Sequence, residues 1–169
     1  MSSADSLHTA DPSDPLSFRR VMGCFATGVA VVSTLSPEGL PAGITINSFT
    51  SVSLDPPLVL FCLDRTTRLL DSFSRCRAFA ITFLRESQQD LSTHFARPDP
   101  PWTGIRYRTT PLGSPVPEGG LAHMECTPHA VYDGGDHIIL TGRVTSLAHS
   151  DAGKPLLYFR SRYCAVSGN

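Results

Sequence analysis

Apolar positions along this chain follow two periods, and the switches between them mark its elements. Phe18, Val21, Met22 and Phe25 recur three and four residues apart, which predicts a helix with one buried face. Asp14 is placed to cap that helix, Pro15 suits its first position, and Gly28 closes the segment. Val29 to Thr34 then predicts a strand, Ser36-Pro37-Glu38-Gly39 a turn, and Leu40 to Ile46 the return strand of a hairpin. From Gly43 to Leu63 two apolar runs are joined by a dense set of short polar side chains, namely Thr45, Asn47, Ser48, Thr50, Ser51 and Ser53, and then broken by Asp55-Pro56-Pro57. Leu58 to Leu63 reads as a strand buried on both faces. Thr66 to Arg75 is an amphipathic helix with Leu69, Leu70 and Phe73 on one side, Ala78 to Leu84 a strand, and Glu86 to Phe95 a short helix setting Leu91 four before Phe95.

The second half is more broken. Arg97 to Gly120 carries six prolines, four glycines and the sole tryptophan, Trp102. So long an irregular excursion in a compact domain is more often functional than idle. Leu121 to Tyr132 and His137 to Leu147 are strands joined by Asp133-Gly134-Gly135-Asp136, a tight-hairpin signal, and Pro155 to Val166 is a last extended or mixed segment. Residues 1–13 are polar and acidic and predict a disordered tail, which leaves residues 14–169 as one domain. The fold class expected is mainly β, an antiparallel β-barrel with short helices.

Composition narrows the class of partner. With 169 residues and 41% apolar content the chain can bury a sizeable single core. A formal net charge of −1 offers no electrostatic footprint for nucleic acid or an anionic membrane. Cys24, Cys62, Cys76, Cys126 and Cys164 are odd in number, scattered and without a C-x-x-C pair, as free thiols in a reducing cytoplasm would be. MSSADSLHTADPSD has no signal-peptide pattern and no apolar run reaches the ~20 residues of a membrane span, so a soluble cytoplasmic protein is expected.

Several chemistries are unsupported: G-x-G-x-x-G, G-x-x-x-x-G-K-[ST] and G-x-S-x-G are all missing. His123, Cys126 and His129 lie three apart, a helical ligand spacing. Pro128 and the strand-like surroundings would instead point them to alternating faces, so no metal site is expected. The hydroxyl and amide cluster after Gly43 suits a flat ligand edged with carbonyls and ring nitrogens, although a solvated turn is the commoner meaning of such a stretch. His137, at a strand mouth, suits a planar ligand as well as it suits solvent. Arg160, Arg162 and Tyr163 in YFRSRY form a cationic and aromatic cluster able to grip a phosphate or stack on a nucleobase, or to serve as a solvated edge.

The order of motifs resembles the flavin reductase-like family, the NAD(P)H:flavin oxidoreductases that serve two-component flavin monooxygenases. FATGVAVVST, GITINSFTSVSLDPPLVLFCLDR, Phe95-Ala96, LAHMEC, GDHIILTGRV and PLLYFRSRY carry the likeness over about residues 15 to 165. It implies a split β-barrel of the FMN-binding type, homodimeric, holding FMN or FAD in a groove near the dimer interface. Thr45, Ile46, Asn47 and Ser48 would then meet the isoalloxazine edge, with Ser51 and Ser53 supporting that shape and Ser53 counted among the flavin positions. Cys62, Leu63, Asp64, Arg65, Thr66, Thr67, Arg68 and Leu69 would run beside the ribityl chain and phosphate, and a helix beginning near Thr66 would offer that phosphate free amides. Ala96, Arg97 and Trp102 would close the far side. His137, as the catalytic position, and Tyr163 and Arg162 would attend the nicotinamide of NADH or NADPH.

Where family members often carry a hydroxyl, this chain has Leu69, which leaves FMN against FAD open. The implied reaction is hydride transfer to flavin N5, with reduced flavin passing to a partner monooxygenase. A split-barrel FMN oxidase acting directly on a small substrate and a non-catalytic flavin-binding module are the alternatives.

Overall fold

The computed structural model describes residues 7–167. The predicted tail at residues 1–6 lies outside the described residues, and residues 7–13 are exposed. In chain order come α1 (Pro15–Met22), β1 (Thr27–Gly28), β2 (Ala30–Leu35), β3 (Pro41–Ile46), β4 (Thr50–Leu54), β5 (Pro57–Asp64), α2 (Leu70–Ser74) and β6 (Phe79–Phe83). A 3-10 turn then leads into α3 (Gln89–Phe95), followed by β7 (Tyr107–Thr109), β8 (Pro115–Pro117), β9 (Ala122–Gly134), β10 (His137–His149), β11 (Leu157–Phe159) and β12 (Arg162–Cys164).

Seven antiparallel strands form the main sheet in the order β3-β2-β6-β9-β10-β5-β4. Its two edges, β3 and β4, are consecutive in the chain and joined only by residues 47–49. The sheet therefore curls back until its edges are neighbours, but no ladder bonds join them. The expected mainly β fold is present, and the barrel is not closed: it has a seam, and the polar stretch after Gly43 lies at it.

Strand β2 explains the unbroken VAVV. Ala30 and Val32 face one core cluster with Phe61, Phe73, Phe79, Ile81 and Leu140, while Val29 and Val31 face a second with Leu84, Phe95 and Leu156. A strand between two cores reads as continuously apolar. In the first cluster Phe61 meets Phe73 and Phe79 edge to face, at 5.9 Å and 5.4 Å between ring centroids.

Three local expectations are corrected. Strand β5 is not buried on both faces: Val59, Phe61 and Leu63 are buried and alternate with half-buried Leu58, Leu60 and Cys62. The helix from Thr66 shrinks to Leu70–Ser74, because the Asp64 carboxylate accepts from the Thr66 N–H and hydroxyl and holds the chain in a turn. Helix α1 is capped by Asp14 as predicted but ends at Met22, and its apolar side is outward, with Phe18, Val21 and Met22 half exposed and Phe25 77% exposed.

The excursion at residues 97–120 is less irregular than its composition suggests, since β7 and β8 pair within it. Its loop is anchored by the buried Glu125, whose carboxylate accepts from the Thr110 hydroxyl and the Leu112 N–H. No described helix is long and apolar enough to cross a membrane.

Candidate functional site

At the seam the short polar side chains are already partly committed. The Thr45 hydroxyl donates to the Ser92 carbonyl at 2.8 Å, pinning β3 to α3. The Ser48 hydroxyl accepts from the Cys62 N–H at 3.0 Å and donates to the Cys62 carbonyl at 3.3 Å, pinning the connection to β5. Asn47 stands between these braces, exposed, with its amide in no hydrogen bond among the described residues. Edge strand β3 also leaves alternate backbone groups unpaired. Between the two braces the cluster can offer a ligand a free carboxamide and a strand edge, while the Thr45 and Ser48 hydroxyls are already bonded.

Two cavities share Asn47 and Val29. One, of about 190 Å3, is lined by Thr45, Ile46, Ser92, Ala96, Tyr158 and Tyr163. The other, of about 430 Å3, is apolar and bounded by Phe25, Phe49, Phe83 and Leu156. The Thr27 hydroxyl, on that wall, is buried without a partner. In the smaller cavity the Tyr163 phenol lies 2.9 Å from the Ser92 hydroxyl, with its ring edge-on to Tyr158 at 5.4 Å. Ser92 is wholly buried and was missed from sequence; its only signal is a place on the inward side of α3, three residues before Phe95.

A polar rim lies beyond the Ser48–Cys62 brace, at the ends of β5 and β10. His137 pairs with Asp64 across the ladder, and its Nδ1 is 2.7 Å from Asp136. The Thr66 hydroxyl, then the Thr66 amide, hold the Asp64 carboxyl below its ordinary range. Arg65 is bound to Asp133 and donates Nε to the Gly135 carbonyl at 2.8 Å, so it ties the β9–β10 turn to β5.

The expectation of free amides near Thr66 is narrowed to the Arg68 N–H, which has no acceptor among the described residues. The Arg65 N–H donates to Asp136, Thr66 and Thr67 donate to Asp64, and Leu69 donates to the Thr67 hydroxyl. Leu63 and Leu69 belong to the core, so their side chains do not line a groove. Arg68 is exposed and in no ion pair with a described carboxylate.

Other expected positions separate. Trp102 does not line the smaller cavity; it packs on Phe95 at 4.9 Å and on Tyr107 behind β3. A Cβ on Gly43 would come within 2.9 Å of that indole and 3.0 Å of Phe95, so glycine is what lets the two rings reach β3. Arg97 is exposed past α3, Ser53 sits on β4 opposite Leu58, and Arg162 is exposed on β12. His137 and Tyr163 share neither a hydrogen bond nor a cavity. On β9, Cys126 faces the core while His123 receives a hydrogen bond from Arg108 at 3.1 Å.

Comparison with known proteins gives the family. The family described as Flavin reductase like domain matches residues 22–167. The reductase subunit HsaB of a flavin-dependent monooxygenase from Rhodococcus jostii (strain RHA1) is 40% identical over 163 residues, covering 96% of this chain and 83% of its own. The FMN reductase (NADH) SmoA of Agrobacterium fabrum (strain C58 / ATCC 33970) is 44% identical over 142 residues, covering 84% and 80%. Among solved structures, the NADH:FAD oxidoreductase SgcE6 of Streptomyces globisporus C-1027, in complex with NAD and FAD fragments, superposes with a TM-score of 0.90 at 35% identity over 95% of this chain and 98% of that one.

Proposed function

Because the chain belongs to the flavin reductase-like family, we propose that it oxidises NADH or NADPH and reduces FMN or FAD, and that the reduced flavin is then released to a separate monooxygenase. The single observation that carries the assignment to this site is the seam itself. There the uncommitted Asn47 carboxamide and the open β3 edge stand between two cavities, one of which holds Tyr163. A flavin ring offers a polar edge of carbonyls and nitrogens and a flat apolar body, and this donor set with an apolar wall fits both. When bound, the flavin supplies the hydride acceptor and the pyridine nucleotide the hydride; the protein brings their rings together and orients them.

The chain's own residues have separable tasks in this reading. Asn47 and the β3 edge take the ring's polar rim, while the Ser48–Cys62 brace keeps the seam from drifting. Tyr163, held by Ser92, gives the nicotinamide a wall. His137, on the rim with Asp136 and Asp64, orients the carboxamide end of the nucleotide. A second copy of the chain covers the outward apolar side of α1, and the five free cysteines suit a cytoplasmic location.

Anaerobic mixing of the protein with FMN or FAD and each pyridine nucleotide, followed at the flavin absorbance band, tests the activity. Bleaching that depends on the protein is the expected result, and its absence with every pair would remove the assignment. His137→Ala should lose nucleotide turnover while keeping flavin affinity. Unchanged steady-state kinetics would strip His137 of its role.

A further inference from the structure

Helix α1 buries none of its residues against the rest of the chain. Residues 100° apart on the helix put Leu16, Arg19, Arg20 and Gly23 on one stripe and Phe18, Val21, Met22 and Phe25 on the opposite one. The apolar stripe is left half exposed or more. The basic stripe faces the β11–β12 turn and encloses a cavity of about 470 Å3 lined by Leu16, Arg19, Arg20, Cys24, Arg160 and Ser161. Three arginines thus border one cavity, in a chain whose formal net charge is −1.

Neither helix capping nor ion pairing employs these cations. Basic residues at a helix C-terminus commonly serve its unpaired carbonyls. Here those carbonyls are already taken: Arg19 O by the Gly23 N–H at 2.8 Å, Val21 O by the Cys24 N–H at 3.0 Å, Met22 O by the Phe25 N–H at 3.0 Å, and Arg20 O by the Cys24 thiol at 3.5 Å. Gly23 O accepts from the Arg160 N–H at 2.8 Å. No described carboxylate forms an ion pair with Arg19, Arg20 or Arg160. Asp14, the nearest acid in the chain, is spent on the Leu16 and Ser17 amides at the other end of the helix.

The turn adds an independent sign. Arg160 and Ser161 have φ of 47° and 60°, both left-handed, in a two-residue hairpin turn whose easiest occupants are Asn and Gly. Placing Arg there costs backbone strain, and strain of this kind collects where a side chain is needed. The Arg160 guanidinium is also fixed, lying over the Phe159 ring at 5.2 Å from its centroid. Tyr163 follows three residues later, within about 10 Å along the extended chain.

We infer that the α1/β11–β12 pocket takes a phosphate of the adenine dinucleotide whose reacting ring is handled beside Tyr163. The inference deepens the flavin reductase reading and rests on it. The same chemistry is offered by two sources, the pyrophosphate of the pyridine nucleotide and that of FAD. Guanidinium forks match phosphate oxygens in pairs, and Leu16 gives the ribose an apolar floor.

The test is calorimetric titration of the full chain with inorganic pyrophosphate and with adenosine 2′,5′-bisphosphate at low salt, for wild type, Arg19→Ala, Arg160→Ala and the charge reversal Arg20→Glu. Each variant should bind both probes roughly tenfold or more weakly, since each loses a charge-assisted contact. Far-ultraviolet circular dichroism and Tm confirm that the variants fold. Steady-state kinetics then name the source. A raised KM for pyridine nucleotide with flavin affinity intact assigns the pocket to the hydride donor, and weakened FAD with unchanged FMN assigns it to the flavin.

Wild-type binding that all three variants retain, or no wild-type binding at all, overturns the inference. In that case protein-dependent flavin bleaching would leave the activity standing. Pyrophosphate binding lost in the variants of a protein that cannot bleach flavin would instead keep the phosphate site and remove the activity.

Discussion

A single buried serine links the two halves of the candidate site. The Ser92 carbonyl accepts from Thr45 on β3, and the Ser92 hydroxyl meets Tyr163. Ser92→Ala keeps the first bond and removes the second, so it should free Tyr163 without loosening β3. Nucleotide KM should rise about fivefold, the worth of one buried neutral hydrogen bond of about 1 kcal/mol, with flavin affinity unchanged. Equal effects on both substrates, or on neither, would count against Ser92 as a positioning residue. Another buried group sets a pH limit: burial, and after it the Glu125 charge, pushes the Cys126 thiol from 9.0 up to about 12. Between those values the unfolded chain releases the thiol proton while the folded chain keeps it, so folding stability is full below pH 9 and falls as pH rises toward 12, by up to about 1.4 kcal/mol per pH unit. Cys126→Ala should flatten that alkaline fall in denaturant midpoints measured from pH 8 to 11, and parallel curves would refute the assignment. The sequence shows that Thr45, Asn47 and Ser48 are clustered and polar. It does not show that two of the three are already bonded to Ser92 and Cys62, partners 47 and 14 residues away.

Elements were legible where the local pattern had no rival. Asn-free but glycine-rich, the turn between β9 and β10 allows one register, and Gly134 pairs with His137 as the tight-hairpin signal requires. Prediction failed where a side chain outbid the backbone, as at Asp64, which captures Thr66 and delays α2 to Leu70. It failed again at α1, because periodicity identifies an apolar stripe and cannot say whether the same chain covers it. The β9–β10 turn also illustrates how an element can matter more to position than to stability. Arg65 clasps it through Asp133 and the Gly135 carbonyl, yet the side chains of the ion pair are 44% and 82% exposed. Such a pair contributes 0 to about 1 kcal/mol. Arg65→Ala should therefore leave Tm almost unchanged while amide exchange at residues 135–137 quickens and nucleotide turnover falls with the loosened His137. A large Tm loss, or unaltered exchange, would show that the clasp does something else.

At the scale of the whole molecule, the described surface of one chain leaves large apolar side chains uncovered. Phe18, Val21 and Met22 are exposed on α1 and Phe25 just past its end, and the edge strand β4 adds Val52 and Leu54, the latter 94% exposed. Monomers rarely leave an apolar stripe and an unprotected strand edge uncovered. Phe25 belongs to both this surface and the site, since it lines the apolar cavity that Asn47 also borders. A second copy seated on α1 would close that cavity, and this joins association to flavin binding physically. Light scattering on the wild type should give twice the 18.2 kDa of one chain. Val21→Glu combined with Met22→Glu should return one chain's mass and weaken flavin in titration. Leu147→Glu, at an exposed position of β10, should alter neither. A monomeric double variant that keeps full flavin affinity would separate the two properties: the apolar stripe would still be the interface, but the cavity behind Phe25 would be complete within one chain.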